Sequence, residues 1–243
     1  MKIYYFSGSG NSYYIAQKIA KKTKGTLVDI AKIEENIVLE GKIGVVVPCY
    51  AFGVPDLVIK FLKRVQNKST YSFFILTYAG YYGGTFKQVD KLMSFNYNKG
   101  IKMPGSDTVF TSKKRRDEKN EEIYRTADEE IGKIIKEIKT MKVNKISRSF
   151  EYYLLLPVYK LAMWYFRGAK RGFKTNERCT MCGFCEEICP VDNIKVGDKV
   201  IWDDHCEGCL RCINYCPFEA IEYKKYTEGK LRFKNKRIDI SEV

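Results

Sequence analysis

Eight of the nine cysteines in this chain fall between Cys179 and Cys216, in two copies of one spacing. The first copy is Cys179, Cys182, Cys185 and Cys189-Pro190; the second is Cys206, Cys209, Cys212 and Cys216-Pro217. Each reads C-x2-C-x2-C-x3-C-P. Three thiolates on one short loop can grip three corners of an iron–sulfur cube while a more distant one closes the fourth, and the proline ends the loop and starts the return chain. In two-cluster runs of this kind the fourth cysteine of each copy serves the other cluster. That rule assigns Cys179, Cys182, Cys185 and Cys216 to one [4Fe–4S] cluster, and Cys206, Cys209, Cys212 and Cys189 to the second. Zinc motifs usually pair two close ligands with another distant pair, often with histidines, and His205 is the one histidine here. Disulfides are disfavoured by the expected lack of a secretory signal ahead of the first strand.

This stretch, residues 175–223, resembles a bacterial-type 2[4Fe–4S] ferredoxin. The resemblance implies a small α+β domain stapled by its clusters, so most of the apolar core of a 243-residue chain is expected upstream. An iron–sulfur protein without an export signal points to a reducing cytoplasm. The ninth cysteine, Cys49, reads as a small buried residue.

The formal net charge is +14, which alone would suggest nucleic acid. Its distribution argues otherwise. Residues 142–178 carry 9 Lys/Arg against 2 Asp/Glu, whereas residues 179–222 carry 3 against 9. An acidic electron carrier is thus flanked by basic segments, which either hold it in place or attract an acidic redox protein partner. The run Lys113-Lys114-Arg115-Arg116 reads as a solvated loop, and no nucleic-acid partner is expected.

At the other end of the chain, Lys2-Ile3-Tyr4-Tyr5-Phe6 reads as a strand, followed at once by Ser7-Gly8-Ser9-Gly10-Asn11-Ser12 and an amphipathic helix over 12–22. A phosphate fits such a loop: glycines let backbone N–H groups approach it, serine hydroxyls add donors, and the helix N-terminus favours negative charge. No lysine follows Gly10, which disfavours a nucleoside triphosphate, and the third glycine of a dinucleotide fingerprint is missing. Further strands are expected at 26–30, 42–48 and 71–77, with helices at 56–66 and 86–96 and a fifth strand drawn from 101–104 and 108–111. A helix over 117–141 carries an apolar stripe of Ile123, Ala127, Ile131, Ile134, Ile135 and Ile138. Alternating strands and helices give an α/β, doubly wound parallel five-stranded sheet, with ligands expected at the carboxyl ends of its strands.

The loop Ser7-x-Ser9-Gly10-Asn11-Ser12 resembles the [ST]-x-[ST]-G-x-[ST] loop of flavodoxins, which binds the phosphate of FMN. The resemblance implies a flavodoxin-like fold and two further loops around the isoalloxazine: Pro48, Tyr50, Ala51, Phe52 and Gly53 after the third strand, and Thr77, Tyr78, Gly80, Tyr81, Gly83 and Gly84 after the fourth. Tyr50, Phe52, Tyr81 and Tyr82 are the aromatics available for stacking.

Between the two ends, residues 146–174 hold an apolar, aromatic run over 152–166 that is interrupted by Pro157 and Lys160. It is too short and too interrupted for a membrane span, which needs about 20 residues. The preferred reading packs it across the interface between flavin and clusters; membrane-surface contact is the alternative. The expected domains are 1–141 (flavodoxin-like, FMN-binding), 142–174 (basic and aromatic bridge), 175–223 (2[4Fe–4S] ferredoxin) and 224–243 (basic tail). The whole order resembles the flavodoxin/ferredoxin fusion proteins of anaerobes. The cofactors so implied are two [4Fe–4S] clusters and FMN, in an electron-transfer protein that relays electrons between them. The alternatives are an FMN-dependent reductase of a small substrate fed by the clusters, and a redox sensor or membrane-surface assembly protein. No acid–base set for an organic substrate is evident, and His205, next to Cys206, reads as a residue behind the ligands or on the surface.

Overall fold

A computed structural model describes residues 1–109, 117–146, 149–167 and 172–243. The basic run at 113–116 lies outside them. The first part is built of β1 (Lys2–Tyr5), α1 (Asn11–Thr23), β2 (Thr26–Asp29), β3 (Val38–Pro48), α2 (Asp56–Arg64), β4 (Gln66–Tyr78), α3 (Thr85–Asp90), β5 (Tyr97–Lys102) and α4 (Asp117–Lys139). The five strands are all parallel, in the order β2-β1-β3-β4-β5. The pleat sends alternate residues of β1 and its extension to opposite layers: Ile3 and Tyr5 join α1 and α4, whereas Tyr4 and, just past the strand, Phe6 join α2 and α3. The central run of β3 is buried on both faces, as a parallel sheet covered by helices requires.

Two expectations need correction. The fifth strand starts earlier than expected, pairing Tyr97 with Phe73 and Lys102 with Tyr78. Its fully buried Tyr97 and Ile101 are separated by Asn98, Lys99 and Gly100, a weaker signal than a continuous apolar run. Residues 108–109 form no strand; Val109 packs instead into the core of the cysteine-bearing module. The helix expected over 86–96 is shortened to α3. Asn96 accepts the Ser72 N–H through its side chain (2.8 Å), a side-chain bond to a neighbouring strand that holds the chain out of helical geometry.

The cysteine-bearing module is an internal repeat with an offset of 27 residues. It contains β6 (Phe173–Thr175), α6 (Phe184–Glu187), β7 (Ile194–Val196), β8 (Val200–Trp202), α7 (Arg211–Tyr215) and β9 (Ile221–Tyr223), after α5 (Ser149–Arg167). β6 pairs with β9 and β7 with β8, both antiparallel. The two copies share backbone conformation. Left-handed residues fall in matched pairs at Met181 and Gly208, at Gly183 and Leu210, and at Asp192 and Glu219. The non-glycine members carry strain that recurs because both copies fold the loop the same way.

Candidate functional site: two thiolate quartets beside a cavity

Four cysteines, Cys179, Cys182, Cys185 and Cys216, line one small void; Cys189, Cys206, Cys209 and Cys212 line a second. These are the two sets assigned from the spacing, each completed by the fourth cysteine of the other copy. Main-chain donors already face the sulfurs: Asn193 N–H on Cys189 Sγ (3.3 Å), Ala220 N–H on Cys216 Sγ (3.3 Å) and Gly208 N–H on Cys206 Sγ (3.4 Å). The first two are again one repeat apart. Burial first, and neighbouring cysteines second, push the Cys206 thiol up to about 12; burial, partly offset by the Arg211 cation, pushes the Cys209 thiol up to about 11. Bound iron would reverse this, because a coordinating cation deprotonates its thiols. Among the described residues no three His, Cys, Asp or Glu side chains converge on a single-ion site. All-sulfur donor sets with N–H···S bonds fit iron–sulfur clusters. His205 is no ligand candidate: its Nε2 lies 2.8 Å from Val191 O.

The second void shares a wall with a much larger space. A cavity of ≈ 870 Å³ opens at the carboxyl ends of β1, β3 and β4 and is lined by Ser9, Asn11, Tyr50, Thr77 and Tyr78 on one side and by Gly208, Cys209 and Leu210 on the other. Cys209 therefore borders both. Helix α5 roofs the cavity through Leu161, Ala162, Trp164 and Tyr165. Its size and mixed apolar and polar lining suit a flat cofactor.

The loop at its base is shaped for close approach. Gly10 has φ 84°, which favours glycine, and a Cβ at Gly8 would lie 2.6 Å from both Cys209 Cβ and the Tyr50 hydroxyl. Ser7 Oγ is buried without a partner, an orphaned donor next to a helix N-terminus and therefore suited to a phosphate oxygen. The other hydroxyls and amides divide differently. Ser12 Oγ is 2.8 Å from Thr77 Oγ1, and Asn11 Nδ2 donates to Pro104 O while its Oδ1 accepts from Asn235 and Tyr124. These two residues brace the loop.

The structure brings Ser9, Asn11, Pro48, Tyr50, Ala51, Thr77 and Tyr78 to the cavity wall. Ser7, Gly10 and Ser12 lie in the loop beneath it. The other six predicted residues do not line it. A Cβ on Gly53 would come 2.3 Å from the Tyr159 ring, on Gly83 2.6 Å from Leu155 and on Gly84 2.2 Å from the Tyr152 backbone, so these glycines admit helix α5. Phe52 and Tyr81 pack edge to face, 6.3 Å apart, with Tyr81 exposed. A Cβ on Gly80 would meet open space. Of the aromatics proposed for stacking, Tyr50 alone lines the cavity. Cys49 also lines it; burial raises its thiol pKa, with Thr85 Oγ1 3.5 Å away.

Sequence reasoning missed the residues that join the two parts. Arg211, 2% exposed, donates to the carbonyls of Ser7, Gly8 (3.1 Å), Ile188 (3.0 Å) and Val243 (2.8 Å). Tyr215 donates to Ser9 O (3.0 Å), and Asn214 Nδ2 to Ser106 O (3.0 Å). Glu207 accepts the Leu57 N–H (3.1 Å) at the start of α2, a cap supplied from the other part of the chain. One signal was available. In the first copy the positions of Arg211, Asn214 and Tyr215 hold Phe184, Glu187 and Ile188, so the repeat is broken on the face that docks. The C-terminal segment adds Ile238, whose side chain sits where a Gly10 Cβ would be, and Arg237, which reaches Asp128 (3.1 Å) and Glu121 (2.8 Å).

Comparison with known proteins divides the chain in the same way. A flavodoxin domain model matches residues 2–98, a 4Fe-4S binding domain model residues 174–195, and the LdpA Fe-S cluster-binding domain model residues 185–227. The pyruvate synthase subunit PorD of Thermotoga maritima is 34% identical over 73 residues, covering 29% of this chain and 71% of that protein. Ferredoxin-3 of Chlorobaculum tepidum is 36% identical over 58 residues, covering 21% of this chain and 94% of that protein. The chain spans only 15% of the polyferredoxin MvhB of Methanothermus fervidus, at 37% identity, and 63% of PorD of Methanocaldococcus jannaschii, at 43%. Among solved structures, an azoreductase from Bacillus anthracis aligns at 13% identity over 56% of this chain and 98% of its own, with a TM-score of 0.39. The rubredoxin:oxygen oxidoreductase of Desulfovibrio gigas aligns at 12% identity over 56% of this chain and 35% of its own, with a TM-score of 0.32.

Proposed function

We propose that this chain, which belongs to the proteins that fuse a flavodoxin domain to a ferredoxin-type 4Fe–4S domain, relays electrons within itself between two [4Fe–4S] clusters and FMN. The observation that carries the reading is Cys209, which borders the cavity and the second cysteine void at once. FMN, when bound, exchanges one or two electrons and each cluster one, so the set joins single-electron carriers to two-electron partners.

The chain's own residues divide the work. Ser7, Ser9 and the N–H groups of the loop through Ser12 hold the phosphate at the head of α1. Tyr50 and Tyr78 bound the ring's space, and α5 excludes water from above. Arg211, Asn214 and Tyr215 fix α7 against that loop, which keeps the Cys209 side of the module next to the flavin. The first quartet faces outward: Cys182 and the neighbouring Met181 and Phe218 are exposed, which suits electron exchange with an external redox protein. The Lys/Arg-rich segments on either side of the acidic module suit an acidic partner.

Anaerobic purification followed by iron and flavin analysis, then stopped-flow reduction by a one-electron donor, tests the reading. About eight iron atoms and one FMN per chain are expected, with flavin reduction following cluster reduction at a rate independent of protein concentration. A chain without FMN, or a flavin rate that scales with protein concentration, refutes the intramolecular relay.

A further inference from the structure

Helix α5 has two faces with opposite fates. Tyr159 and Met163 are buried, and Tyr159 donates to Val54 O (2.7 Å), so the inner face is fastened to the flavodoxin loops. The outer face carries Phe150 (80% exposed), Tyr153, Leu154, Val158, Leu161 (65%) and Trp164 (70%). Their spacing follows the i, i+3, i+4 rule, so they form one ridge about 21 Å long. A contiguous exposed apolar ridge of this kind marks an interaction surface.

We infer that this ridge seats the protein on an anionic lipid bilayer, with the helix lying in the plane of the surface. Charge selects the occupant. Residues 142–178 carry 9 Lys/Arg against 2 Asp/Glu, and Lys160 is exposed on the same helix. An apolar helix face with tryptophan, tyrosine and phenylalanine, set in a strongly basic segment, is the composition of an interfacial helix, and each basic residue near an anionic surface adds to binding. No described helix is long and apolar enough to cross a membrane, so the contact is with one leaflet. Leu161 and Trp164 also rim the ≈ 870 Å³ cavity, so docking sets the cavity mouth against the bilayer surface. This inference stands apart from the relay, since the ridge is there whether or not electrons pass within the chain.

The test is sedimentation of the anaerobically purified holoprotein with vesicles of phosphatidylcholine, with and without about one-third phosphatidylglycerol. Binding to the anionic vesicles is expected, weakened at least about tenfold by high salt and by the double substitution Phe150→Glu, Leu154→Glu, neither of which lines the cavity. Both side chains are exposed, and unchanged iron and FMN contents verify that the variant folds. A blue shift of tryptophan emission on anionic vesicles, lost with Trp164→Phe, places the ridge itself in the interface. No association with either vesicle overturns the inference, as does equal binding by the double variant. A concentration-dependent dimer in sedimentation velocity that Leu154→Glu abolishes overturns it in favour of a second copy of the chain.

Discussion

Replacing Arg211 by methionine separates a docked assembly from two modules on a string. The guanidinium is 2% exposed and donates to four main-chain carbonyls, those of Ser7 and Gly8 in the loop after β1, Ile188 at the end of α6, and Val243 in the C-terminal segment. Hydrogen bonds to a charged donor are worth about 1.5 kcal/mol each at the low end, giving about 6 kcal/mol gross. Removing the cation also removes its desolvation cost, which is several kcal/mol for a buried ion, so the net loss is about 2–3 kcal/mol. For a chain of this length that lowers Tm by roughly 4–12 °C. Scanning calorimetry of the holoprotein measures it. Arg211→Lys keeps the charge but loses the planar fork, and an intermediate Tm is expected. FMN affinity should fall about tenfold in Arg211→Met, equivalent to ~1.4 kcal/mol, because two of the four carbonyls shape the loop. Iron content should hold, since Arg211 is no ligand. A Tm within about 2 °C of the parent, with FMN binding unchanged, would refute the reasoning.

Cys189→Ser and Cys216→Ser should exchange their effects relative to chain position: the first is expected to abolish the cluster of the second copy and the second that of the first, each with a loss of about four irons, resolved by Mössbauer or EPR spectroscopy. Loss of the cluster nearest in sequence instead would reverse the assignment. Gly84→Ala places a Cβ 2.2 Å from the Tyr152 backbone, so α5 must shift; a loss of about 1–3 kcal/mol and faster proteolysis around residues 142–148 are expected, and an unaltered digestion pattern would argue against a docked α5. Cys49, the one cysteine outside the quartets, has its thiol pKa raised by burial, so less of it is thiolate near neutrality. Alkylation of the holoprotein should be slower than for a free thiol at pH 8 and still accelerating above about pH 9; rapid modification at pH 7, followed by mass spectrometry, would contradict that burial.

Much of the assembly was legible because its signals are local. The fourth cysteine of each copy could be assigned to the opposite quartet because a short loop supplies three corners of a cube and a symmetric pair of loops must exchange the fourth. Strand β3 was legible because burial on both faces leaves a continuous apolar run, whereas β5, with polar residues at 98 and 99, carried a weaker one. The loop glycines at 53, 83 and 84 were misread because glycine records only that something comes close; that it is helix α5 depends on packing.

The sequence by itself therefore determined the two cysteine quartets, the alternation of strands and helices, and the serine- and glycine-rich loop after β1, signals carried by local spacing. Only the tertiary structure decided that Cys209 borders the cavity, that Arg211 and Tyr215 fasten α7 to that loop, and that α5 buries one face and exposes the other. The Arg211 and Tyr215 contacts join residues about 200 positions apart, and Tyr159 of α5 meets Val54 across 105. A side chain that meets its partner at such separation obeys no local period, so its role emerges only once the sheet and the repeat are folded against each other.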